Sequence, residues 1–115
     1  MSKEKYTLID FDSVSHVPCP CGMSRRAYVE ESDGQVSFHV VDIKKDAQYH
    51  YHKTHTEIYY ILEGEGFLEL DGKKHPVKPG MSALIKPGCR HRAIGNLKVI
   101  NVPLPAFDPE DEYFD

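Results

Sequence analysis

The sequence predicts an all-β fold, a sandwich or barrel of short antiparallel strands. Two observations carry this. Apolar and β-branched runs recur about every eight to twelve residues with Gly, Pro and Asp between them. No segment sustains a helical period.

Val36, Phe38 and Val40 alternate with Ser37, His39 and Val41, the period of a strand. Glu57–Leu62 is rich in β-branched and aromatic residues, and Glu63-Gly64-Glu65-Gly66 breaks or bends it. Phe67–Leu70 resumes the strand, and Asp71-Gly72 is a hairpin turn signal that returns Lys73–Val77. Lys78-Pro79-Gly80 turns the chain again, Met81–Ile85 is apolar, and Lys86-Pro87-Gly88 turns it once more. His91–Ile94 and Lys98–Val102 complete the series.

The 115 residues suit one domain. Residues 36–102 form its barrel core, 1–34 a strand and loop extension, and 103–115 an acidic tail that drapes over the barrel or frays, with Phe107, Tyr113 and Phe114 as possible anchors. A net charge of −4 argues against nucleic acid as a partner. No stretch approaches the roughly 18 apolar residues of a membrane helix, and the polar Met1–Lys5 lacks a leader's apolar region. Together these predict a cytoplasmic location. Three cysteines are too few for a disulfide framework and read as reduced thiols. The small size and the outward run Ile58, Tyr60 and Leu62 predict a homodimer.

Chemistry concentrates at one place. His50 and His52 are two apart, so on a strand they face the same way. Glu57 opens the next strand across a bend, and His91 follows the Pro87-Gly88 turn. Three imidazoles and one carboxylate suit Fe, Mn, Ni, Co, Cu or Zn as a divalent ion, and not Ca. An octahedral ion would keep two positions for water, a chelating substrate or O2. The competing reading is a solvated strand that carries histidines and binds nothing.

Two stretches carry a family resemblance. His50–Gly64 resembles the first cupin motif: two histidines flanking one residue, a gap of four, glutamate, a gap of six, glycine. Gly80–His91 resembles the second motif, with glycine, proline, glycine and histidine at the family's spacing. Lys44 stands where the family has a glycine, Lys86 where it has a proline, and Asn96 is displaced by one from the closing asparagine. The resemblance spans about residues 36–102. It implies an antiparallel double-stranded β-helix, or jelly-roll barrel, holding a metal through His50, His52, Glu57 and His91. It also implies an enzyme of dioxygenase, isomerase, decarboxylase or lyase type, acting on a small oxygen-rich molecule. The alternative is a module that binds a small molecule or a metal without chemistry.

Around this set, parity from Glu57 points Tyr59 and Ile61 inward, making Tyr59 the candidate acid/base against a packed core tyrosine. One of Arg25 and Arg26 faces inward and could fork onto a substrate carboxylate or phosphate. His55 reads as exposed in the turn, outside the ligand set unless the register slips, and His16, His39 and His75 read as structural or solvated. Cys89 reads as an inert thiol. Cys19-Pro20-Cys21 reads as a rigid lid rather than a second metal site.

Overall fold

The structure is a computed structural model that describes residues 5–19, 22–44 and 47–114. Pro20 and Cys21 of the proposed lid lie outside the described residues. Seven strands follow in order: β1 Val17–Cys19, β2 Gly22–Ala27, β3 Phe38–Ile43, β4 Thr56–Leu70, β5 Lys73–Val77, β6 Ser82–Ile85 and β7 His91–Leu104. Two 3-10 turns, Phe11–Ser13 and Pro109–Asp111, are the only helical elements among the described residues. Every strand pair is antiparallel, in the order β1-β2-β3-β7-β4-β5, with β6 on the free edge of β4. The fold is the antiparallel cupin-type barrel.

β4 is the spine. One edge pairs with β7 from Thr56↔Leu104 to Leu70↔His91. The other is shared by β6, against Glu57–Tyr60, and β5, against Gly66–Leu70. The Asp71-Gly72 turn joins β4 to β5 with both residues at positive φ, 48° and 83°, the backbone a two-residue hairpin turn requires.

The sequence predicts two strands at 57–62 and 67–70, and two more at 91–94 and 98–102. Each pair is instead one continuous strand, because the glycines permit close passage rather than a break. A Cβ on Gly66 would sit 2.0 Å from the Ile94 carbonyl oxygen, and Gly66 pairs directly with Gly95. A bulge between Ile61 and Glu63 switches the parity of β4. Glu57, Tyr59 and Ile61 point in before it; Leu68 does after it.

The inward residues Val41, Ile43, Tyr59, Ile61, Leu68, Ile85, Leu97 and Val99 build the core. The outer face is also apolar. Val40, Ile100 and Tyr60 are register neighbours across β3, β7 and β4, and Val102, Ile58 and Leu84 lie beside them across β7, β4 and β6. Leu84 is 63% exposed.

After Leu104 the chain returns across the barrel as a strap. Ala106 N–H donates to Gly34 O at 3.0 Å, and Phe107 N–H to Ser37 Oγ at 2.9 Å. Tyr113 and Tyr51 exchange two backbone bonds of 3.0 Å, and their rings stack with centroids 5.4 Å apart. Residues 105–114 therefore drape over the barrel, and Tyr113 is one of their anchors.

Candidate metal centre

The site stands between the start of β4, the start of β7 and the loop before β4. His50 and His91 form an isolated antiparallel bridge, which sets their side chains next to each other. His52 lies two residues on, and its carbonyl accepts Gly88 N–H at 2.7 Å, so the Pro87-Gly88 turn closes onto the histidine run. Glu57 is the first inward residue of β4. The structure thus brings His50, His52, Glu57 and His91 together, all buried, with potential donor atoms within 4.8 Å of one another.

Each of the three histidines has its Nδ1 beside a main-chain carbonyl. His50 Nδ1 lies 2.7 Å from Gln48 O, His52 Nδ1 2.6 Å from Asp111 O, and His91 Nδ1 2.9 Å from Cys89 O. A carbonyl only accepts, so each Nδ1 carries the proton and the neutral ring presents the Nε2 lone pair. The lone pairs of His52 and His91 face Glu57. His52 Nε2 lies 2.5 Å from Glu57 Oε1 and His91 Nε2 lies 3.8 Å from it. His52 Nε2, His91 Nε2 and Glu57 Oε2 are buried and have no hydrogen-bond partner. Buried acceptors turned on one another are costly unless a proton or cation lies among them. The residues present therefore fit a metal ion.

The electrostatics agree. Burial and the neighbouring histidines hold His91 down to about 4, and burial also lowers His50, so both rings stay neutral and able to ligate. Burial alone would raise Glu57, but its close contacts with His52 and His55 hold it well below the usual carboxylate range. Burial lowers His52, while Glu57 and the Asp111 carbonyl more than reverse this and raise it.

A small cavity opens onto the cluster. Tyr59, Arg26, His39, Asn101 and Glu112 line it with the histidines. Tyr59 is buried, and burial and Glu57 push its phenol well above 10, so it stays protonated at neutral pH. Of the two arginines, Arg26 faces the cavity. Its Nε donates to Ser24 Oγ at 2.9 Å and its guanidinium lies 4.7 Å from the centre of the Phe107 ring. Arg25 points outward to Asp12 at 3.4 Å.

His55 corrects the expectation from sequence. It is 2% exposed, not a solvated turn residue. Its Nε2 meets Glu57 Oε1 at 3.0 Å and its Nδ1 lies 3.4 Å from Asp111 Oδ2. The reason is long-range: Asp111 accepts the backbone N–H groups of Lys53, Thr54 and His55 at 2.9, 3.0 and 3.2 Å and folds the bend inward. His52, His55 and Asp111 form a second group of donor atoms. His52 Nδ1 is committed to the Asp111 carbonyl and the Asp111 carboxylate to three amides, so this group is a hydrogen-bonded frame. His39 Nε2 lies 2.7 Å from Ser37 Oγ at the cavity wall, and His16 sits 3.3 Å from Asp42. Asp111, Glu112 and Asn101 were not legible as site residues. The two acidic residues stand in a run of Asp and Glu that reads as solvated, and nothing local marks Asn101.

The barrel and the two motif stretches define a class, and the comparisons confirm it. The family model described as "Cupin domain" matches residues 32–100, and the chain belongs to that family. It is 40% identical over 76 residues to protein MJ1618 of Methanocaldococcus jannaschii, a match covering 63% of this chain and 61% of that protein. It is 43% identical over 60 residues to L-ectoine synthase of Halomonas elongata, covering 50% of this chain and 44% of that enzyme. These matches thus span less than two thirds of either relative. A crystal structure of a protein from Planctomyces limnophilus superposes with a TM-score of 0.90 at 36% identity, over 98% of this chain and all of that one.

Proposed function

We propose that this cupin is a metal-dependent enzyme acting on a small oxygen-rich molecule, and that His50, His52, Glu57 and His91 hold its ion. The observation that carries the reading is the set of three histidines, each with its Nδ1 fixed by a carbonyl behind it, whose donor atoms and a buried carboxylate all lie within 4.8 Å of one another. Three imidazoles and a carboxylate favour Fe, Mn, Ni, Co, Cu or Zn. Bound there, such an ion would act as a Lewis acid on a chelated oxygen, with positions left for substrate.

The residues around it support chemistry rather than storage. A binding module would bring only apolar side chains up to the ion, whereas this cavity sets Arg26, Tyr59 and Glu112 beside Val41 and Phe107. Arg26, held by Ser24 and Phe107, binds a substrate carboxylate or phosphate. Tyr59 donates a proton or hydrogen bond to a substrate oxygen. Glu112 also lines the cavity, and burial raises its carboxyl. Among the dioxygenase, isomerase, decarboxylase and lyase classes, the L-ectoine synthase relative favours an enzyme that works on small polar metabolites. The outer apolar rows support a homodimer. No helix among the described residues is long and apolar enough to cross a membrane, and we read the enzyme as cytoplasmic.

The test is reconstitution of protein purified without a metal-binding tag, followed by elemental analysis. About one equivalent is expected; less than about 0.2 equivalents with every metal tried overturns the site. Loaded protein is then profiled against sugar phosphates, keto acids and catechols, with L-ectoine as a candidate ligand. Turnover that Tyr59→Phe and Arg26→Ala each reduce supports the enzyme. Ligand binding without turnover across the panel favours the binding module.

A further inference from the structure

The strap carries a role beyond covering the barrel. Asp111 touches three things at once: its carbonyl takes the Nδ1 proton of His52, its carboxylate caps the amides of residues 53–55, and its Oδ2 lies 3.4 Å from His55 Nδ1. His55 then reaches Glu57 Oε1 at 3.0 Å, and its ring lies on that of His52 with centroids 3.9 Å apart. Two of the four candidate ligands are therefore oriented from a residue more than fifty positions away. The other two, His50 and His91, are oriented locally by Gln48 and Cys89.

We propose that Asp111 and His55 are positioning residues of the metal centre, and that docking of the 105–114 strap and loading of the ion are coupled. This rests on the metal reading above. Asp111 aims His52 directly and Glu57 through His55. Partners behind ligating groups typically contribute ten- to hundredfold in metal affinity. Linkage makes the effect reciprocal: if the docked strap tightens the ion by some factor, the ion tightens strap docking by the same factor. The neighbouring contacts serve that docking. Lys53 Nζ lies 4.3 Å over the Tyr113 ring, and Tyr113 pairs with Tyr51 between the two ligands His50 and His52.

Co(II) is the probe, because its visible spectrum reports ligand geometry and its affinity can be set by chelator competition. Asp111→Ala should weaken Co(II) binding roughly ten- to hundredfold and shift its visible bands. Asp111→Asn, which keeps one side-chain carbonyl acceptor, should fall between. Asp108→Ala, which removes only the exposed cap of the adjacent 3-10 turn, should leave both readouts unchanged. If Asp111→Ala does not fold, the wild type still decides the question: hydrogen exchange at the amides of residues 53–55 and of Tyr113 should slow on Co(II) loading. Tight Co(II) binding with an indifferent Asp111→Ala, or with exchange unaltered by loading, overturns the coupling and leaves the site intact. A wild type that takes up no metal overturns the site itself.

Discussion

His50 and His91 exchange both of their backbone hydrogen bonds, 3.1 Å from His50 N to His91 O and 2.8 Å from His91 N to His50 O. That single pairing brings two residues 41 positions apart to a ring separation of 4.4 Å. It also separates the roles of the histidines. His50→Ala or His91→Ala removes a donor atom and should abolish stoichiometric metal, read by elemental analysis. His55→Ala removes the contacts to Glu57, Asp111 and the His52 ring but none of the four proposed ligand atoms, and should leave about one equivalent bound more weakly. Loss of all metal in His55→Ala with retention in His50→Ala would show that the ligand set is shifted along the chain.

Stability should fall on mild acidification. Burial, with Arg26 nearby, holds His39 down to about 4. The unfolded imidazole titrates near 6.5. Between these values the unfolded chain takes up a proton that the folded chain refuses, so stability falls as pH drops from about 6.5 to about 4 and levels off below. Each such group contributes at most about 1.4 kcal/mol per pH unit. His91 acts in the same direction. Denaturant unfolding of chelator-treated protein at pH 5 and pH 7 measures the slope, and His39→Gln should remove part of it.

The glycines of the crossing should differ sharply from those of open turns. Gly64 has φ 97°, and a Cβ there would lie 2.0 Å from the Asn96 carbonyl oxygen. Gly80 has φ 94° with nothing near. Gly80→Ala should therefore cost about 1 kcal/mol, from backbone strain alone. Gly64→Ala adds a backbone collision and should cost about 3 kcal/mol or prevent folding. Thermal melts of the two variants compare them directly, and equal costs would disprove the close crossing.

The outer apolar rows make a prediction about assembly. Six apolar residues on four adjoining strands form a patch of the kind that covers an interface. Tyr60→Arg or Leu84→Glu should convert a dimer to a monomer in light scattering at high micromolar concentration. A wild type already monomeric there would remove the interface.

Much of this was readable from local pattern. The turns, the hairpin and the inward parity of Glu57 and Tyr59 depend on residues within a few positions of one another. His50 and His52 share a face for the same reason, although only His50 and Tyr51 of that run are bridged. The failures share a cause too. The glycine-rich stretch 63–66 reads as a break until β7 is laid against it, and His55 reads as exposed until Asp111 is. Contacts between residues 30 to 60 positions apart leave no periodicity to detect. Arg25 and Arg26 stayed ambiguous because alternation says that one points inward and only pairing with β3 says which.

The long β4–β7 ladder has a kinetic consequence. Its pairs join residues 21 to 48 positions apart, and such non-local contacts repay their loop-closure entropy only late in folding. Glu57 and His91 sit near opposite termini of that ladder, and Asp111 docks beyond it. An ion arriving early would meet a flexible His50-x-His52 pair and little else. Selectivity among metals would then be exercised after the barrel has closed, when the cavity admits one geometry.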